Sequence, residues 1–212
     1  MYFRFMPIIE QLASSLGKRD EAPNIALAQK IVISNDKNAV VELVTLLDHK
    51  KVDVFSDVIK VLYEIGERKP ELIAEHYHVF KACTTHKNKR MIWGAFTAIQ
   101  SFAHLKTKRI FNDLPELIKA SNCDSVIAKD NLMKAMVKVA ADKTFTDDVC
   151  VLLLEQLSAS PNNQFPMYSE LVLPVIIAKT KKQFRDVLEQ RVSTLEKESQ
   201  KNRILKVMKK LS

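Results

Sequence analysis

The chain has 212 residues, 47% of them hydrophobic, with a formal net charge of +8. That length and apolar content exclude a disordered chain and suffice for one ordinary domain with a full core. Only three glycines are present, and Gly17, Gly66 and Gly94 lie far apart, which excludes a phosphate-binding loop or a dinucleotide turn, since both need several glycines in one short stretch.

The start, "MYFRFMPIIEQL", lacks a signal-type apolar segment with a cleavage site. Apolar residues recur at three and four positions from here to the end, and strand patterns are nearly absent. The spacing predicts helix after helix. First helices fall at 3–16, 37–48, 70–84, 108–121, 145–159 and 182–196. Their partners fall at 23–33, 53–66, 89–104, 125–141, 166–178 and 199–211. In the third pair, "EHYH" sets Glu75 and His78 three apart on one helix face, a spacing used in di-iron bundles. A second Glu-x-x-His is missing, so ordinary surface histidines are the simpler reading. The same pair holds the only tryptophan, Trp93, in "KNKRMIWGAFTAI". On a helical wheel its neighbours Ile92, Ala95, Phe96, Ile99 and Phe102 form the core stripe. Trp93 sits on the polar shoulder with Lys89, Gln100 and His104. In the fifth pair, Asp147 and Asp148 suit the first turn of a helix, where the macrodipole favours acids. That pair is the least regular: the link "SASPNNQFP" is long, and Ser169 falls in an apolar column. The last helix, "SQKNRILKVMKKLS", is amphipathic and basic. Such a helix can meet a membrane or a partner protein, but a terminal repeat also needs a polar outer face. Cys83, Cys123 and Cys150 are too scattered for a metal or disulfide framework, and read as free thiols of a cytoplasmic protein.

The links carry a period. "KTKRIF" (106–111) and "KTKKQF" (179–184) nearly repeat one another, and "KTF" (143–145) stands halfway between them. Lys69, Lys106, Lys143 and Lys179 are therefore spaced by 37, 37 and 36 residues. Shifting by this period lays Phe55, Val58, Ile59, Leu62 and Ile65 on Ile92, Ala95, Phe96, Ile99 and Phe102. A second shift reaches Leu132, Met133, Met136 and Val139. Apolar columns stay apolar, as they must if every repeat buries the same face. The expectation is an all-α, right-handed α-solenoid of about six antiparallel helix pairs, in one domain covering 1–212.

Several segments resemble the HEAT-repeat family of the HEAT/armadillo group. "DLPELIKAS" (113–121) is similar to a HEAT first helix with its proline, and "SDVIKVLYEIGE" (56–67) to a second helix. "LGKRDEAPNIALAQKI" (16–31) and "WGAFTAI" (93–99) also resemble segments of bacterial HEAT-like proteins without assigned activity. The resemblance implies a scaffold that binds other proteins. HEAT-like alkylpurine DNA glycosylases share the size and basic charge, but use aromatic residues with a carboxylate. Here Trp93 is followed one turn later by Thr97, which argues against that activity.

No nucleophile elbow, metal motif or cofactor motif is present, so the expectation is a non-enzymatic module with no cofactor, no small-molecule substrate and no membrane contact. Its partner would be a protein or peptide held on a concave surface lined by the second helices. The period aligns Trp93 with Ser56 and Asp130, and Thr97 with Lys60 and Lys134. The candidate contacts are Trp93, Lys60, Thr97, Gln100, Lys134 and Lys138, with Trp93 as apolar anchor and Lys60 and Lys134 meeting carboxylates. The alternative is nucleic acid. Residues 81–109 carry seven cations and no acid, and 179–212 carry eleven cations and four acids. Lys89, Arg90, Lys106, Lys108 and Arg109 would then contact phosphates while Trp93 stacks on a base.

Overall fold

A computed structural model describes residues 6–123 and 125–211. All regular structure among them is helical. The α-helices are α1 (Ala22–Ser34), α2 (Lys37–Leu46), α3 (Val52–Arg68), α4 (Tyr77–Cys83), α5 (Lys89–Phe102), α6 (Thr107–Ser121), α7 (Val126–Ala140), α8 (Thr146–Ser158), α9 (Phe165–Val172), α10 (Ala178–Val192) and α11 (Glu198–Lys210). By its contacts the chain falls into two compact units. The first is Met1–Lys106 with Leu114–Leu132, and the second is Thr107–Asp113 with Met133–Ser212.

Local chemistry starts and stops the helices where the pattern says it should. Asp36 caps α2, its carboxylate accepting from the Ala39 amide at 2.9 Å, and Asn88 caps α5 by accepting from Arg90 N at 2.8 Å. Helix α1 ends at Asn35 in the left-handed region, φ 53°, a conformation Asn tolerates. Pro115 lies inside α6, as the HEAT-like segment implies.

In unit 1, α3 packs between α1 and α5, with α2 and α4 behind α3 and α5. Second helices thus stack on second helices. The apolar columns inferred from the period are buried in α3 and α5, from Phe55 to Ile65 and from Ile92 to Phe102. In α7, Leu132, Met133, Met136 and Val139 are buried too. In unit 2, α8 packs on α10 and α9 on α11. Ser169, the misfit in the apolar column, is fully buried and donates to the Phe165 carbonyl at 2.8 Å. Its hydroxyl is satisfied inside its own helix, so the column tolerates it.

Four expected helices differ, among them the helix expected at 166–178, which ends at Val172 and passes into a 3-10 turn, Leu173–Val175. Residues 3–5 of the helix expected at 3–16 lie outside the described residues. The rest is a 3-10 turn, Ile8–Gln11, followed by irregular turns to Gly17. Side chains from elsewhere capture its amides: Ala13 N donates to Asn24 Oδ1 at 3.0 Å and Ser14 N to Asp57 Oδ2 at 2.7 Å. Those N–H groups are lost to a helical ladder. The expected helix 70–84 opens with two 3-10 turns, Pro70–Leu72 and Ala74–His76, and becomes α-helical only at α4. Leu72, Ile73 and Ala74 are all buried. Three consecutive residues cover about 200° of an α-helix, more than one buried stripe holds. The helix expected at 182–196 begins four residues early, because Thr180, Phe184 and Leu188 form the buried stripe of α10. Lys179 therefore lies in a first turn rather than a link.

Gly94 lies where α5 packs closely on Ile59 of α3. A Cβ there would stand 2.6 Å from Ile59 Cγ1. Alanine would favour the helix by about 1 kcal/mol, but Ile59 Cγ1 sits near its own backbone and cannot swing away. Gly94→Ala should lower stability by about 1–3 kcal/mol in denaturant titration. A gain would show that α3 and α5 pack less tightly than described.

Candidate interaction surface

The second-helix surface of unit 1 is organised by one carboxylate. Glu21 is the N-cap of α1. Its Oε2 receives Lys60 Nζ of α3 at 2.9 Å, and its Oε1 receives an Arg90 NH2 of α5 at 2.5 Å. Three successive second helices thus meet at one group. Lys60 also pairs with Glu64 at 2.8 Å, and Glu64 with Arg68. The chain of charge runs Arg90, Glu21, Lys60, Glu64, Arg68, with signs alternating throughout.

Tyr63 and Trp93 lie beside it. Their ring centroids are 5.9 Å apart at 50°. Lys60 Nζ stands 4.8 Å from the Tyr63 centroid and the Arg90 guanidinium 5.9 Å from the Trp93 ring. Cations over aromatic faces are attracted to the ring quadrupole. Trp93 is half-buried: one part packs on Tyr63, the rest remains accessible.

Burial alone would drive a proton off Lys60, but the hydrogen bonds to Glu64, Tyr63 and Glu21 outweigh it and hold the ammonium above the usual lysine range. Burial likewise opposes charge on Glu64, and Lys60 and Arg68 override it, leaving the carboxyl below its ordinary value. Tyr63 is raised, chiefly by burial.

The sequence candidates divide accordingly. Trp93 and Gln100 are half-buried on α5. Lys60 and Thr97 were expected in an exposed column, but both are only 8% exposed. Lys60 is covered because its head is drawn into the Glu21–Glu64 pair. The Thr97 hydroxyl donates to the Trp93 carbonyl at 2.8 Å and accepts from Asn131 Nδ2 at 2.9 Å. Both are fixed parts of the framework behind Trp93. In unit 2, Lys134 is exposed and Lys138 half-buried on α7. Among the phosphate candidates, Arg90 is held by Glu21, and Lys106 pairs with Glu75 at 2.7 Å. Lys89, Lys108 and Arg109 are exposed. Tyr63, Glu21 and Asn131 were missed. Tyr63 stands one turn after Lys60 on α3, a legible signal. Glu21 sits in a non-periodic link and gave none.

The other constellations resolve simply. Asp147 pairs with Lys179 at 2.9 Å in the first turn of α8. Lys106 and Lys179, two of the four periodic lysines, thus reach carboxylates about one repeat back in the sequence. Among the described residues no group of three or more His, Cys, Asp or Glu side chains could hold a metal ion. Burial, with Asp48, pushes the Cys83 thiol up to about 11, and burial raises that of Cys150. No helix among the described residues is long and apolar enough to cross a membrane.

Repeat-spaced packing of second helix on second helix defines an armadillo/HEAT-like α-solenoid, and solved structures agree. The chain is similar to a designed armadillo repeat protein, YIII(Dq)4CqI, at 14% identity and TM-score 0.60, covering 97% of this chain and 98% of that one. It is similar to another such design, YIII(Dq.V1)4CPAF in complex with the peptide (KR)4, at 15% identity and TM-score 0.67, again covering 97% and 98%. A third, from computationally designed armadillo repeat proteins for modular peptide recognition, gives 15% and 0.61 over 95% and 97%. No family model and no curated protein matches the chain.

The Glu64 shift fixes a pH dependence. A carboxyl held low in the native state stabilises it above the unfolded value of about 4.3, and that contribution is lost as pH falls through the native value. Glu64→Gln should lower the melting temperature at neutral pH and flatten its decline between roughly pH 5 and 3. An unchanged acid slope would remove Glu64 from the network.

Proposed function

We propose that the protein is a non-enzymatic interaction module that holds a segment of a partner protein on its second-helix surface, with Trp93 as the apolar anchor. The observation that carries this reading is the state of Trp93: half-buried, with the Tyr63 ring and the Arg90 guanidinium both beside it. Aromatic groups held by packed neighbours are the usual hot spots of protein interfaces. The surrounding charges are paired before any partner arrives, so little ordering cost remains. Gln100, on the same shoulder, would add a polar contact. Lys60 and Thr97 would act by positioning. In unit 2, Lys134 and Lys138 would meet carboxylates of a partner. The peptide-bound design among the similar structures is in keeping with this reading. The finer kinship, to bacterial HEAT-like proteins, rests on the segments 16–31 and 93–99.

Nucleic acid is the weaker alternative. Arg90 and Lys106 already face carboxylates, and Asp57 and Asp130 lie on the second helices and would repel phosphates. A mobility-shift series at low salt decides it: retention of single- or double-stranded probes would favour the alternative.

Trp93 is the only tryptophan, so its emission reports this surface alone. Partners captured from the native cell by the wild-type chain should blue-shift that emission. Trp93→Ala should weaken the complex by about 2 kcal/mol or more without loss of helical content, and Gln100→Ala by less. Equal capture by Trp93→Ala, with no spectral change on binding, would refute the anchor.

A further inference from the structure

A second surface lies in unit 2, on the second helices α9 and α11. They border a cleft of about 640 Å³. Its apolar lining is Leu173, half-buried, and Val207, buried. Arg203, Lys206, Lys209 and Lys210 surround it, and Glu170 is the one carboxylate in its lining. Arg203 spends its fork on that carboxylate: its Nε and NH2 reach the two oxygens at 2.8 and 2.7 Å. The bidentate pair consumes the acid's acceptor geometry.

Lys206, Lys209 and Lys210 are exposed around one concavity, and among the described residues its one lining carboxylate is Glu170, held below its ordinary range by Arg203 first and then by Lys210 and Lys206. Elsewhere Lys81, Lys106 and Lys179 each find an acid near one repeat's distance. Lys209 and Lys210 complement the carbonyl end of α11, but Lys206 stands earlier and Arg203 a turn before that. Residues 203, 206, 207 and 210 share one helix face. Like charges around a concavity focus a positive potential into it.

We propose that this cleft docks an acidic segment of a partner protein. One aliphatic side chain of that segment lies against Leu173 and Val207, and carboxylates on either side meet Lys206, Lys209 and Lys210. The lining has no aromatic ring on which a base could stack. Ile204, Val207 and Leu211 are buried against the protein, and the exposed Leu205 by itself falls short of the apolar face that a membrane surface requires. The chemistry therefore favours a peptide over a nucleic acid or a lipid surface. The cleft shares no lining residue with the Trp93 surface, so either reading can fail alone.

Fluorescence anisotropy on the full chain tests it. The probes are a labelled peptide of alternating Glu and Leu, the same peptide with Ser for Leu, an oligonucleotide of equal charge, and anionic vesicles. The Glu–Leu peptide should bind best. Lys206→Glu/Lys210→Glu should weaken it at least about tenfold, the Ser peptide should bind several-fold less, and Trp93→Ala should change nothing. Both lysines are exposed, and a circular dichroism melt verifies that the variant folds. Absent binding at low salt, equal binding by the charge-reversed variant, or tighter binding of the oligonucleotide or vesicles would overturn the proposal.

Discussion

The Glu21 carboxylate is the joint on which the surface of unit 1 depends. Its two oxygens take Lys60 from α3 and Arg90 from α5, while its own residue opens α1. The Lys60 head is buried, and a buried ammonium is costly unless paired and hydrogen-bonded. Here two carboxylates and the Tyr63 ring compensate it. Removing one partner leaves the other charge stranded, which costs more than the pair itself contributes. The joint also fixes a direction. With Arg90 held toward Glu21, its guanidinium lies by Trp93, and Tyr63 supports the indole from α3. The accessible part of Trp93 is thus set by residues from three helices.

The same logic recurs along the chain. Polar ties join residues about one repeat apart: Asn24 to Asp57, Thr97 to Asn131, Thr107 to Asp142 and Arg203 to Glu170. In a repeat protein each unit buries its apolar face only against its neighbours. Apolar columns permit several registers, whereas a specific donor and acceptor favour one. At the α9–α11 cleft one such tie, Arg203 to Glu170, engages a single cation, and Lys206, Lys209 and Lys210 stand around it.

The repeat and its core were legible because burial imposes a period, and Phe55 to Ile65, Ile92 to Phe102 and Leu132 to Val139 obey it. The shoulder position of Trp93 was legible for the same reason. The ends of elements were not. Asn24 and Asp57 pull the amides of Ala13 and Ser14 out of a helix, and nothing near residue 13 signals that. Nor does the sequence tell that Lys60, at a position its period marks as polar, is covered by a residue 39 positions away. A charge on the shoulder of a wheel reads as solvent-facing until its partner is known. Thr97 differs similarly: Asn131 claims it from the next second helix.

A double-mutant cycle between Glu21→Gln and Lys60→Met tests the joint most directly. If the carboxylate and ammonium hold α1 and α3 together as described, the two effects on unfolding free energy will depart from additivity by about 1 kcal/mol or more. Additivity within about 0.5 kcal/mol would contradict the account, and Trp93 would then owe its orientation to packing alone.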